Sequence, residues 1–309
     1  MFSPWKQWHR PLMTNVTLMI GLALVAGIGL LVDHRTLLDE SVWVKPLKFG
    51  FAFAVYSGTL AWLLTKLHKA ARFGWWLGTA FAVAATVEVA GITVQAARGT
   101  FSHFNSNLSD PINQATTQAF TYGVAALFLV QLAIAGLVLF QRTGDRAVVT
   151  AVRAGIALAT GGMLVPVYWM VTEVHPRMVT DANGQQVQMY QGHGIGDPDG
   201  HGMPITHWSM TGGDFRVPHF VGLHGITVLL LVTALVGRAT WLRTEKVRGR
   251  LVRVAALGYT GLFAVVAWQA GRGQSLAHPD AKTLIALAAV VLCTAAAATA
   301  VTANARRHD

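Results

Sequence analysis

Residues 192–224, GHGIGDPDGHGMPITHWSMTGGDFRVPHFVGLH, lead without a break into an apolar run that ends at Gly237. The first part is rich in His, Asp and Gly. From Pro218 to Gly237 there is no Asp, Glu, Lys or Arg. A run of about 20 apolar residues is the length of a helix that crosses a bilayer. The stretch therefore reads as a polar loop at the mouth of a spanning helix, and the rest of the chain repeats that reading.

Seven further runs of similar length and hydropathy occur, giving eight expected spans at 14–32, 46–65, 75–97, 117–140, 152–172, 218–237, 251–270 and 282–302. Only 12% of the residues are charged and 53% are hydrophobic, against about 25% charged in soluble domains. The expected fold is an all-α integral membrane protein of eight transmembrane helices. With the N-terminus placed in the cytoplasm, Lys6, Arg10, Lys66, Lys69, Arg72, Arg142, Arg146, Arg153, Arg238, Arg243, Lys246, Arg248, Arg250, Arg253, Arg306 and Arg307 all fall on the cytoplasmic side. Only Asp145, Glu245 and Asp309 oppose them there, as the positive-inside rule requires. Both termini are then cytoplasmic, and the loop at about 173–217 is extracytoplasmic. The net charge of +10 is a topology signal, and nucleic-acid binding is not expected. The first run lacks a small-residue cleavage site and reads as a retained helix. The single cysteine, Cys293, lies in the last span, which excludes intrachain disulfides and Cys-based metal clusters.

The third span ends in Gln95-Ala96-Ala97-Arg98-Gly99 and the seventh in Gln269-Ala270-Gly271-Arg272-Gly273, 174 residues apart. The second opens at Pro46 and the sixth at Pro218, 172 apart. These matches suggest two tandem four-helix halves, 1–150 and 151–309, related by an axis along the membrane normal. On that reading Gln95, Arg98, Gln269, Arg272, Lys48 and His219 converge near one place.

Several residues offer chemistry. His224 lies roughly 9 Å below the expected start of the sixth span, where an ionisable group normally faces a cavity or a partner. His219 sits at the helix mouth, about 140° away around the helix. His103 and His193 lie on the same outer side. Imidazole and carboxylate together suit zinc, iron or copper, and Met189, Met203 and Met210 nearby add weight to copper. The expected first ligands are His103, His219 and His224, with His193, Asp199 or Asp214 completing the shell or supplying a base. Glu88, the only carboxylate inside a span, is a further acid–base candidate. Arg98 and Arg272, helped by Gln95, Gln269 and Lys48, read as a clamp for an anionic group such as a lipid headgroup, a carboxylated substrate or haem propionates. The loop's apolar residues (Ile195, Met203, Trp208, Met210, Phe215) argue for a folded lid.

Lys45-Pro46-x-Lys48-Phe49, Gln95-Ala96-Ala97-Arg98-Gly99-x-x-Ser102-His103-Phe104-Asn105 and Gly213-Asp214-x-Arg216-x-x-His219-Phe220-x-Gly222-Leu223-His224 resemble motifs of a family of uncharacterised bacterial multi-pass membrane proteins. The chain departs from that pattern at His201, where the family has glycine, and at Thr227, where it has glutamine. The resemblance implies a bacterial plasma-membrane location and points to these residues without naming a reaction. A looser analogy links Ser102, His103, Asp110, His219 and His224 to intramembrane zinc hydrolases of the alkaline ceramidase and adiponectin-receptor type.

The expected function is a membrane-embedded metal-dependent enzyme, an oxidoreductase or a hydrolase. Its His-rich site opens to the extracytoplasmic face and acts on a lipid or another small anionic substrate. The alternatives are a haem b electron-transfer protein with His224 and His103 as axial ligands, and a transporter or metal sensor. The chain does not indicate an oligomeric state.

Overall fold

The computed structural model describes residues 5–172, 174–200, 202–239 and 244–307, with 306 and 307 described by backbone alone. His201, Trp241, Arg243 and Asp309 lie outside the described residues. Among the described residues, eight helices are long and apolar enough to cross a membrane: α1 Arg10–Val32, α2 Val44–Leu64, α3 Ala71–Ala97, α4 Pro111–Leu139, α5 Arg146–Thr172, α6 Arg216–Arg238, α7 Glu245–Gly271 and α8 Ala281–Arg307. The expected spans sit inside these helices to within a few residues, since apolar length sets where a helix can be buried in lipid. The helices overrun them by a turn or so because capping extends into the polar flanks.

The helices pack by one scheme used twice. α1 lies on α2 and α3, and α3 on α4; α5 lies on α6 and α7, and α7 on α8. Small residues set the closest approaches, as is usual where helices pack without a hydrophobic drive from water. A Cβ added at Gly50 in α2 would lie 3.0 Å from the Met19 carbonyl oxygen of α1. One added at Gly222 in α6 would lie 2.9 Å from the Leu158 carbonyl oxygen of α5. Between the halves α2 touches α6, with the Thr59 and Thr227 hydroxyls 3.0 Å apart. The main apolar core gathers Leu12, Leu60, Leu63, Ile134, Ile156 and Ile226.

The connections gather at two ends of the bundle. At one end Gln141 accepts from the backbone of His68 and Lys69, and Glu245 accepts from the Arg146 amide. At the other end, the loop face, the α1–α2, α3–α4, α5–α6 and α7–α8 connections meet and bond to one another. The described residues of the α5–α6 connection, 174–200 and 202–215, form a folded lid. It contains the hairpin β3 Val174–Thr180 and β4 Gln186–Gln191, and the short pair β5 Gly194–Ile195 and β6 Gly213–Asp214. The α1–α2 connection adds β1 Thr36–Leu37 paired with β2 Glu40–Ser41. The 101–106 segment runs beside β4: Ser106 donates to the Gln188 carbonyl and Tyr190 to that of Phe104. Phe101, Val187 and Met189 form the small core beneath, so Met189 packs in the lid and is not placed as a metal ligand.

Candidate functional site

The loop-face ends of the helices come in two kinds. The repeated Gln-Ala-x-Arg-Gly motif is a helix stop. Gly99 and Gly273 adopt φ of +71° and +69°. Thr100 N–H returns to the Gln95 carbonyl and Gln274 N–H to that of Gln269, which is the Schellman arrangement. The Gln side chains are buried; Gln95 donates to the Asn113 carboxamide oxygen and Gln269 to the Ser275 carbonyl. Arg98 donates to Gln95 and pairs with Asp110, and Arg272 pairs with Asp280. Asp110 accepts from the Ile112 amide and Asp280 from the Thr283 amide, capping the starts of α4 and α8. The Arg98 guanidinium holds the Asp110 carboxyl below its usual range, and Arg272 does the same to Asp280.

This geometry corrects the clamp reading. Arg98 and Arg272 are already neutralised by carboxylates on the next helix. Gln95 bonds within the α3–α4 connection, whereas Gln269 is linked through Ser275 and Ser209 to Asp214. The expected convergence of these four with Lys48 and His219 is not found.

The starts of α2 and α6 differ. Their cap residues, Trp43 and Phe215, supply no side-chain acceptor, and neither first turn contains an acid. Instead Lys45, Lys48 and Arg216 stand there. Lys48 Nζ donates to Glu40 at 2.6 Å and to the Thr206 carbonyl at 2.8 Å. Arg216 is paired with the buried Asp214 and donates to the His207 carbonyl. Lys45 feels Glu40, Lys48 and Arg216 electrostatically, yet forms no hydrogen bond or ion pair with a described residue. Three cations thus face two carboxylates, and both carboxylates are engaged.

His103 and His193 complete this cluster. His103 stacks on Phe120 at 4.3 Å between ring centroids, with Phe49 and Phe104 around it. His193 tilts against Phe104 at 5.1 Å, its amide donates to the Pro198 carbonyl, and its Nδ1 is buried without a hydrogen-bond partner among the described residues. Burial, and secondly Lys45, hold His103 well below the ordinary imidazole value. Burial does the same for His193, followed by Arg216, Lys45, His103 and Lys48. Both imidazoles are therefore neutral at neutral pH; His103 Nδ1 lies 3.1 Å from the Ser102 hydroxyl, and His193 Nδ1 can accept a proton.

A cleft of about 460 Å³ opens beside the cluster, between the 39–44 turn and a strap at 202–207. Ile205 in the strap has φ of +67° and His207 +53°, a conformation that costs energy for residues with a Cβ. Three ties hold it: Lys48 to the Thr206 carbonyl, Arg216 to the His207 carbonyl, and His207 Nε2 to the Leu38 carbonyl.

The remaining predicted residues lie elsewhere. His219 and His224 turn apart on the continuous α6, as their spacing of five requires. His219 Nδ1 meets the Gly162 carbonyl of α5 at 2.7 Å, and His224 stacks on Phe220. Asp199 is bound to Arg177, and Asp214 to Arg216 and the Ser209 amide, so neither is a free base. Glu88 is buried between α3 and α4. Among the described residues no three His, Cys, Asp or Glu side chains converge as metal ligands. The expected four-histidine metal set does not fit, because its members divide between two sites. The haem reading loses its propionate clamp at Arg98 and Arg272.

Lys45, Arg216 and Glu40 were not singled out by composition or spacing. Lys45 and Arg216 did fall within the quoted motifs, which was the available signal. Comparison with family models, curated proteins and solved structures finds no match.

Proposed function

We propose that the protein is a membrane-embedded site for a small anionic substrate at the loop face, with His103 and His193 as neutral acid–base groups beside it. The observation that carries this reading is Lys45, which makes no hydrogen bond or ion pair with a described residue and stands with Lys48 and Arg216 at the starts of α2 and α6. Helix N-termini favour anions. Cations placed there oppose the helix dipole, and a bound anion relieves both. Its recognition would come from Lys45, and the aromatic walls around His103 would exclude water. A neutral imidazole within reach of a bound anion can accept a proton from an attacking or leaving hydroxyl, which supports an enzyme over a passive binding module.

The excess of Lys and Arg at the opposite end supports the loop face as extracytoplasmic and the membrane as a bacterial plasma membrane. The doubled packing scheme, the matched Schellman stops and the Gly50 and Gly222 crossings support the tandem duplication of 1–150 and 151–309.

Inorganic phosphate tests the anion site on the purified full chain. Phosphate at about a hundred times its Kd should stabilise the fold by roughly 2.7 kcal/mol, read as a rise in melting temperature at constant ionic strength. The same melting curve with phosphate, sulfate and chloride would refute the reading.

A further inference from the structure

Ser102 is joined to the loop-face cluster by a single side-chain hydrogen bond. It is 6% exposed, and its Oγ lies 3.1 Å from His103 Nδ1. No other described residue bonds to this hydroxyl, and none bonds to the second ring nitrogen of His103, Nε2. The turn that carries the pair is fixed on both sides. Thr100 N–H returns to the Gln95 carbonyl, Asn105 Nδ2 donates to that of Phe101, and Tyr190 N–H donates to that of Phe104. Phe104, at φ of +63°, sets its ring against both His103 and His193. The His103 ring is stacked on Phe120, so its two nitrogens keep their directions.

The direction of the Ser102–His103 bond follows from what each choice leaves unmet. If Nδ1–H donated to Ser102, the hydroxyl proton would be buried with no described acceptor, which is costly. If Ser102 donates, Nδ1 is the acceptor, and a neutral ring then carries its proton on Nε2. Burial and Lys45 keep that ring neutral. Lys45 agrees with this tautomer. An unprotonated Nε2 near its ammonium would be an acceptor for it, yet Lys45 bonds to no described residue.

We propose that Ser102 is a positioning residue whose hydroxyl holds His103 in the Nε2–H tautomer, so that His103 and Lys45 both present hydrogen-bond donors to a bound oxyanion. This rests on the anion-site reading and divides the work of its two histidines. No proton leaves His103, because a neutral imidazole that lost Nε2–H would become an anion. Accepting a proton falls to His193, whose Nδ1 has no hydrogen-bond partner among the described residues.

The test is ¹⁵N NMR of the full chain, labelled at histidine and held in lipid nanodiscs at neutral pH. The signals lost in His103→Asn assign His103. Its Nδ1 is expected at the shift of an unprotonated ring nitrogen and its Nε2 at that of a protonated one. Inorganic phosphate should move the Nε2–H proton signal downfield. Ser102→Ala should mix the two tautomers and weaken phosphate binding about fivefold, the worth of one hydrogen bond. Ser102→Thr keeps the hydroxyl and should restore both. Equal retention on gel filtration shows that the variants are folded. A protonated Nδ1 in the wild type, a Ser102→Ala protein that keeps the pure Nε2–H tautomer, or a bound phosphate that leaves the Nε2–H signal unmoved would each overturn the proposal while the anion site stands. A wild type that binds no phosphate would instead remove the anion site, and with it the role of His103 towards a ligand.

Discussion

The starts of α4 and α8 and those of α2 and α6 lie on the same face of the same bundle, but their charges are handled in opposite ways. At α4 and α8 an aspartate caps the helix and an arginine from the preceding helix end neutralises it. The unit is closed: dipole, carboxylate and guanidinium satisfy one another. At α2 and α6 the cap residues are aromatic, three cations face the two carboxylates Glu40 and Asp214, and Lys45 makes no bond with a described residue. This contrast separates a structural ion pair from a candidate binding site within one apparent repeat. A closed unit costs stability when cut, whereas an open one costs ligand affinity.

The largest expected effect comes where the open region contains its one strongly closed pair. Arg216→Ala leaves Asp214 buried without its guanidinium, and breaking such a pair costs about 3–5 kcal/mol. Denaturant or thermal unfolding in detergent should show this loss, and a variant as stable as the wild type would mean that Asp214 finds another partner. Lys45→Met should behave in the opposite manner. With no bonded partner to abandon, it should leave stability unchanged or raise it, while phosphate affinity falls about tenfold or more. A Lys45→Met protein that keeps its phosphate response would erase the distinction between the two kinds of helix start.

On the closed side, Asp110→Ala should lower stability by about 1 kcal/mol, the usual worth of a helix cap, with phosphate affinity intact. Loss of phosphate binding in that variant would restore Arg98 as part of an anion clamp. The smallest effect concerns pH. His103 and His193 are held neutral by burial and neighbouring cations, so the unfolded chain, with imidazoles near pKa 6.5, binds more protons. Stability present above about pH 6.5 should be lost as the pH falls below it, before the carboxylates titrate. His103→Asn should flatten the melting temperature between pH 6.5 and 5, and an unchanged slope would show that His103 does not contribute.

The spans were legible because apolar length and the scarcity of charge are local properties, and the structure keeps all eight. The repeated Gln-Ala-x-Arg-Gly string was legible as a repeat but was misread as chemistry. Its glycines supply the positive φ of a Schellman stop, and its arginines reach carboxylates 12 and 8 residues onward at Asp110 and Asp280. The histidines were legible as unusual, but one sequence cannot say which of them share a pocket. His193 joins His103 because the lid folds its β4 edge along the 101–106 segment, a pairing between strands that composition did not reveal. His219 is instead taken up by the α5 carbonyl at Gly162.

The number of helices, their approximate limits, the charge bias between the two ends and the apolar character of the α5–α6 connection were readable before any coordinates. Each follows from hydropathy or charge summed along a contiguous stretch. Which charges are paired and which remain open emerged from the packing of distant segments. Ion pairing depends on what lies across a helix boundary, and Lys45, Lys48 and Arg216 come together from helix starts more than 160 residues apart.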